Sequence, residues 1–223
     1  MEKFDKIVLN IPHSSFNGIF DYGGWNYNAN FLNQVIKNTD WHTDFLFHDD
    51  NKNIVPIVFN LSYAVVDVES IGYYTTIGGY KRELSEEKGN WLMQTRDLFL
   101  ERLSEELTES TLLIDCHSFN EETSKDIDVC IGFNEDWSKP SEDTIKKIVA
   151  VFEGRGYKVG INNPYGGSIT PTDEIKYKSI KIGVNKKLYL RNGIEINTSS
   201  FYSPKLHDTI KQVYKAMLGE NYC

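Results

Sequence analysis

The chain has 223 residues, 40% hydrophobic and 25% charged, with 13 Tyr and 12 Phe, the composition of a folded globular domain rather than a disordered one. A formal net charge of −8 argues against a general binder of nucleic acid or anionic membranes, which needs a basic face. No apolar run reaches the ~18 residues of a transmembrane helix. Met1–Asp5 leads straight into a strand without the apolar core of a secretion signal. Three scattered cysteines, Cys116, Cys130 and Cys223, do not make a disulfide framework, so reduced thiols and a cytoplasmic setting are expected. The length suits one domain, taken as residues 1–223.

In chain order, Ile7–Ile11 is an apolar run that reads as a buried strand and leads into Pro12-His13-Ser14. Ser14–Asn28 reads as a surface excursion. Phe31, Leu32, Val35 and Ile36 then form the apolar stripe of a short helix. Thr39–Asp44 opens a second helix, with Thr39 or Asp40 as its cap. Ile54–Phe59 and Ala64–Val68 are rich in β-branched residues and read as strands, with an irregular loop or hairpin over Gly72–Gly79. Ser85–Leu107 is the longest helix, capped by Ser85 with two acids in its first turn.

The second half repeats the alternation. Leu113–Ser118 is a strand delivering His117, and Ile127–Ile131 is another. A helix runs from Ser141 with Gly154 at its C-terminal cap, followed by a strand over Tyr157–Ile161 and a turn over Asn162–Gly167. Ile175–Leu190 alternates too weakly to separate hairpin from loop. Gly193–Asn197 reads as a strand with Glu195 between two isoleucines, and Ser203-Pro204 opens the last helix. Alternating strands and helices predict an α/β sandwich with a mostly parallel sheet.

Two strands that end in His-Ser bring two imidazoles to one sheet edge, where ligands of open α/β sheets sit. Hydrolytic zinc sites use three His or carboxylate ligands and keep a position for water, whose proton a nearby carboxylate takes. His13, His117, an acid from Asp40 or Asp44, and Glu195 are the available parts. A carboxylate between Ile194 and Ile196 is costly to bury without a partner, which marks Glu195. Asp115, two residues before His117, points the same way along the strand and holds the imidazole or faces water.

Ile11–Ser14, Thr39–Asp44, Val65–Glu69, Asp115–Ser118, Asn163–Gly167 and Ile194–Asn197 come in an order that resembles the N-formylglutamate amidohydrolase family. The resemblance implies a three-layer α/β sandwich, a mixed sheet between helices as in zinc carboxypeptidases. It implies a zinc-dependent hydrolase cutting an amide C–N bond of a small N-acyl or N-formyl amino acid. His13, His117 and Asp40 would be the zinc ligands, with Asp44 or His42 as competitors of Asp40, and Glu195 the general base. Asn163, Gly166 and Gly167 would form a substrate loop. The family's arginines after the Ser of the third block and after its Val-Asp pair stand here as Ser62-Tyr63 and Glu69-Ser70. Arg82 or Arg191 would then have to hold a substrate carboxylate. Two other readings stay open: a member of this fold that binds ligand or metal without turnover, and an amidase acting on a larger peptide. A small-molecule substrate and no nucleic-acid or membrane partner are expected, and the oligomeric state is left open.

Overall fold

The structure, a computed structural model, describes residues 2–22, 25, 28–70, 76–77, 80–190 and 203–222. A six-stranded sheet runs in the order β2-β1-β5-β8-β6-β7. Its strands are β1 (Lys6–Ile11), β2 (Ile54–Val58), β5 (Thr111–Phe119), β6 (Val129–Gly132), β7 (Val159–Ile161) and β8 (Lys178–Asn185). All neighbours are parallel except β6 and β8, which are antiparallel. The two-residue strands β3 (Thr76–Ile77) and β4 (Tyr80–Lys81) pair separately.

Side chains alternate across the strands, and each face has its own core. On one face Ile7, Leu9, Leu112 and Ile114 meet α5 (Glu142–Gly154) and α6 (Pro204–Leu218). On the other, Val8 and Leu113 meet α2 (Ala29–Asn38) and α4 (Glu86–Glu105). The result is a mixed sheet between helical layers, the expected α/β architecture. Two short helices, α1 (Ile19–Tyr22) and α3 (Thr43–Leu46), complete the N-terminal part. The long helices start where their caps are. The side-chain oxygens of Asn28, Ser85, Ser141 and Ser203 accept from the amides of Phe31, Lys88, Thr144 and Leu206. Gly154 is the last residue of α5 rather than its cap, and the positive φ of 84° falls on Gly156.

Two stretches differ from their sequence reading. Ala64–Val68 is fully buried or nearly so but is turn, not strand. Val65 N–H bonds back to the Ser62 carbonyl, and the Ala64 and Val65 carbonyls accept from Arg82, with the Trp25 indole also on Ala64. Those carbonyls are therefore spent on side chains and cannot join a ladder. Ile175–Leu190, undecided from sequence, contains β8 at the centre of the sheet. Ile180, Ile182 and Val184 bury one face of β8. Ser179, Lys181 and Asn185 on the other find polar partners on Ile169, Asp115, Ser124 and Ile127. The strand expected at Gly193–Asn197 lies outside the described residues.

Candidate active site

His13 follows β1 by two residues and His117 lies within β5, its neighbour, so parallel pairing brings both to the same sheet edge. Their ring centroids are 5.1 Å apart. Carboxylates fix both rings. Nε2 of His13 lies 3.0 Å from Asp67 Oδ1, and Nδ1 lies 3.8 Å from Asp40 Oδ2. Nδ1 of His117 lies 3.1 Å from Asp40 Oδ2, while its Nε2 faces Asp115 Oδ1 at 3.0 Å and Glu69 Oε1 at 3.1 Å.

Each acid is in turn held. The Asp40 amide donates to the His13 carbonyl at 3.0 Å, and the Ser118 hydroxyl donates to Asp40 Oδ1 at 2.7 Å. Asp67 accepts from the Glu69 amide and the Ser70 hydroxyl. The amide group of buried Asn10, on β1 opposite Asp115, donates to Asp115 at 2.8 Å and Glu69 at 3.2 Å. Lys181 lies 3.2 Å from Asp115 Oδ2, and Lys186 lies 4.0 Å from Asp40 Oδ1.

This packing of charge moves the titrations. Burial disfavours a charged His117, but the Glu69 and Asp115 charges overcome it and raise its pKa well above the usual value. For His13 burial is likewise outweighed, here by the Asp67 hydrogen bond and charge, and the pKa rises. Burial would raise Asp40 and Asp115, yet His117 lowers both, with Lys186 and Lys181 adding to the effect. Glu69 is the exception: burial and the Asp115 charge push it up. Asp40 and Asp115 stay ionised and orient the rings.

His13, Glu69 and His117 each offer a donor atom, all within 4.8 Å of one another. Tetrahedral zinc with bonds of ~2.0–2.1 Å needs donors roughly 3.4 Å apart, a small contraction. Two imidazoles and one carboxylate are the donor chemistry of hydrolytic zinc sites. Asp40 on the Nδ1 of His117 matches the carboxylate that orients a metal-binding imidazole from behind. The residues fit a divalent metal.

The carboxylate in this donor group is Glu69, not Asp40, and neither His42 nor Asp44 takes part. His42 is buried in a left-handed conformation (φ 60°) ahead of α3. Of the expected substrate loop, Gly166 borders the cavity in front of the imidazoles, with Tyr165 beside it. Asn163 is exposed, and Gly167 (φ 74°) serves the turn, its carbonyl packed against Gly132. Arg82 does not reach the cavity. It is buried over the Trp25 ring and donates to two backbone carbonyls. Glu195 and Arg191 lie outside the described residues.

Sequence reading missed Glu69, Lys181 and Lys186 as members of the site. A weak signal existed: Glu69 follows Asp67 by two residues after a fully apolar run, and Lys181 interrupts an Ile-x-Ile strand. The cavity they share with the imidazoles has a volume of about 420 Å³, within the range of small-molecule sites.

Fold and site together define a class: an α/β protein with a His-Glu-His donor group at the carboxyl ends of neighbouring parallel strands. Residues 93–190 match the family model of N-formylglutamate amidohydrolase, so the likeness first read from motif order is shown independently over that stretch. No curated protein sequence matches the chain. Among solved structures, the gene product Atu2144 from Agrobacterium tumefaciens superposes with a TM-score of 0.65 at 14% identity, covering 97% of this chain and 90% of that one. N-formylglutamate amidohydrolase from Ralstonia eutropha JMP134 gives 0.63 at 12% identity, with 99% and 94% covered. At such identities these likenesses establish the fold.

Proposed function

We propose that this chain is a metal-dependent amidohydrolase, with zinc as its ion, that cleaves the amide C–N bond of a small N-acyl or N-formyl amino acid. The observation that carries the reading is the His13–Glu69–His117 donor group opening on a cavity of about 420 Å³. The family match over residues 93–190 supports it. Among the described residues no helix is long and apolar enough to cross a membrane, and the two described cysteines, Cys116 and Cys130, are free and buried. A soluble cytoplasmic enzyme acting on a small molecule accords with both.

His13, Glu69 and His117 would hold the ion, which when bound supplies a Lewis acid and lowers the pKa of water. Asp67 and Asp40 fix the two rings from their other nitrogens, so that the donors are aimed before substrate arrives. Glu195 is proposed as the general base that takes the attacking water's proton and returns it to the departing amine nitrogen. Glu195 lies beyond residue 190, where the family match ends.

Metal analysis of purified protein should give about one zinc per chain. Glu195→Gln should keep that zinc and slow hydrolysis of N-formyl amino acids by roughly 10²–10⁴-fold, the usual contribution of a general base. Undiminished turnover in Glu195→Gln would remove Glu195 from the mechanism; absence of bound zinc from the unaltered protein would remove the metal.

A further inference from the structure

A row of residues in register across β5, β8 and β6 forms part of the cavity wall beside the imidazoles. Gly183 of β8 pairs with His117 on one side and with Cys130 on the other, and all three border the cavity. Residues directly opposite one another in a sheet point to the same face. An imidazole and a thiol therefore flank a position that has no side chain. A Cβ at Gly183 would meet the Cys130 Cβ and the Phe119 ring at 3.6 Å, ordinary contact distance, so packing alone does not demand glycine. The missing side chain leaves a notch in which a ligand carbon finds van der Waals partners on two sides.

The notch is apolar. Phe119 lies two residues after His117 on β5, hence on the same face, and is 2% exposed with its ring edge toward Gly183. Tyr165 stands edge-on to Phe119 with ring centroids 6.3 Å apart, and with 47% of its surface exposed it forms the outer lip. The Cys130 thiol donates to the Tyr165 carbonyl at 3.0 Å, and burial pushes its pKa up, so it is a neutral, polarisable wall. The cations of the same cavity are already held: Lys181 lies 3.2 Å from Asp115, and Lys186 donates to the Lys37 carbonyl at 2.7 Å. A charged group seated among Phe119, Cys130 and Gly183 would exchange water for apolar neighbours, at a cost. An aliphatic or aromatic group would gain there.

We propose that this notch is a specificity subsite for an apolar substituent of the scissile amide. Gly183 stands in register with His117 of the donor group, so the substituent is one carried close to the reacting carbonyl: the acyl chain or the amino acid side chain. The assignment rests on the hydrolase reading above and narrows its substrates to those with an apolar group at that place.

The test uses two series on the full-length, zinc-loaded protein. N-acetyl-, N-propanoyl- and N-butanoyl-L-alanine lengthen the acyl side; N-formyl-L-alanine, N-formyl-L-2-aminobutyrate and N-formyl-L-norvaline lengthen the side chain. In the series whose group enters the notch, kcat/KM should rise about 4-fold per methylene, or roughly 16-fold over two, as burial of CH₂ groups predicts. The other series should stay flat, which identifies the entering group. Gly183→Val, which fills the notch, should bring the ratio of longest to shortest member to about one, and Gly183→Ala should serve if the valine protein does not fold, with a ratio cut to roughly 4-fold. A ratio within one protein is unmoved by a general loss of activity, so a merely structural glycine would leave it unchanged. A flat profile in both series, a rise shared by both, or a rise undiminished by the Gly183 substitutions overturns the subsite. Faster turnover of N-succinyl-L-alanine or N-formyl-L-glutamate than of the apolar members overturns it as well. If no compound is turned over, the hydrolase reading fails by itself, and calorimetric binding of the same compounds decides the notch. Affinity that grows with chain length in the unaltered protein and not in Gly183→Val supports the subsite, and any other pattern overturns it.

Discussion

The wall built on β1 and β5 and the wall built on β8 border one cavity with opposite charge plans. On the first, His13 and His117 sit among Asp40, Asp67, Glu69 and Asp115, and the acids outnumber the bases. On the second, Lys181 and Lys186 flank the bare backbone of Gly183. The acidic wall is suited to hold a cation, and the lysines of the other wall balance its acids, Lys181 facing Asp115 and Lys186 facing Asp40. The contrast separates the part that would hold an ion from the part that balances its charge, and it can be broken from either side.

The largest effect is expected on the acidic wall. His117→Ala removes one of two imidazoles and should abolish stoichiometric metal binding by metal analysis after gel filtration. Glu69→Gln should weaken binding far more than Asp40→Asn. Asp40 works through His117, and loss of such a supporting carboxylate typically costs 10–100-fold in affinity. An Asp40→Asn protein devoid of metal beside a fully loaded Glu69→Gln protein would return Asp40 to the ligand set.

The second effect concerns protons. Burial opposes charge on both rings, but Glu69 and Asp115 raise His117 and Asp67 raises His13. The metal-free protein therefore keeps protons on these rings to higher pH than usual, and an ion must expel them. Zinc affinity should climb as pH rises through the raised pKa values and level off above them. A flat affinity across roughly pH 6 to 8 in competition titrations would show that the acids do not act on the rings in this way.

The smallest effect belongs to the basic wall. Gly183→Ala adds a methyl at ordinary contact distance from Cys130 and Phe119. Its stability by chemical denaturation should change by no more than about 1 kcal/mol, whereas bulkier acyl groups should lose turnover first. A larger destabilisation would mean that the glycine serves packing and not the cavity.

The same division explains how much could be read from sequence. β1 and β5 declare themselves by the apolar triplets Ile7–Leu9 and Leu112–Ile114, and α4 and α6 by caps and period, because those signals are local. β8 was illegible because Lys178 and Lys181 interrupt it, and the partner that makes Lys181 tolerable, Asp115, is 66 positions away in the chain (181 − 115). Ala64–Val68 has strand composition, but a distant guanidinium takes its carbonyls. That His13 and His117 come together is legible in sequence because both close apolar strands, whose carboxyl ends share one sheet edge. The signal at Glu69 is weak, an acid two residues after Asp67 behind an apolar run, and its partners His117 and Asn10 are distant in the chain. Arg82 was misjudged for the converse reason: its carbonyl partners come from a turn that sequence reads as a strand.

The hydrogen bonds around Asp40 carry one more consequence. Its amide grips the His13 carbonyl while its carboxylate grips His117 and Ser118, so one residue clasps the ends of two strands. A cradle made rigid by the polypeptide itself needs little rearrangement when a cation enters. Loading should then be a fast, single-step exchange of ion for proton, and its speed should follow the acidity of the medium more than any motion of the backbone.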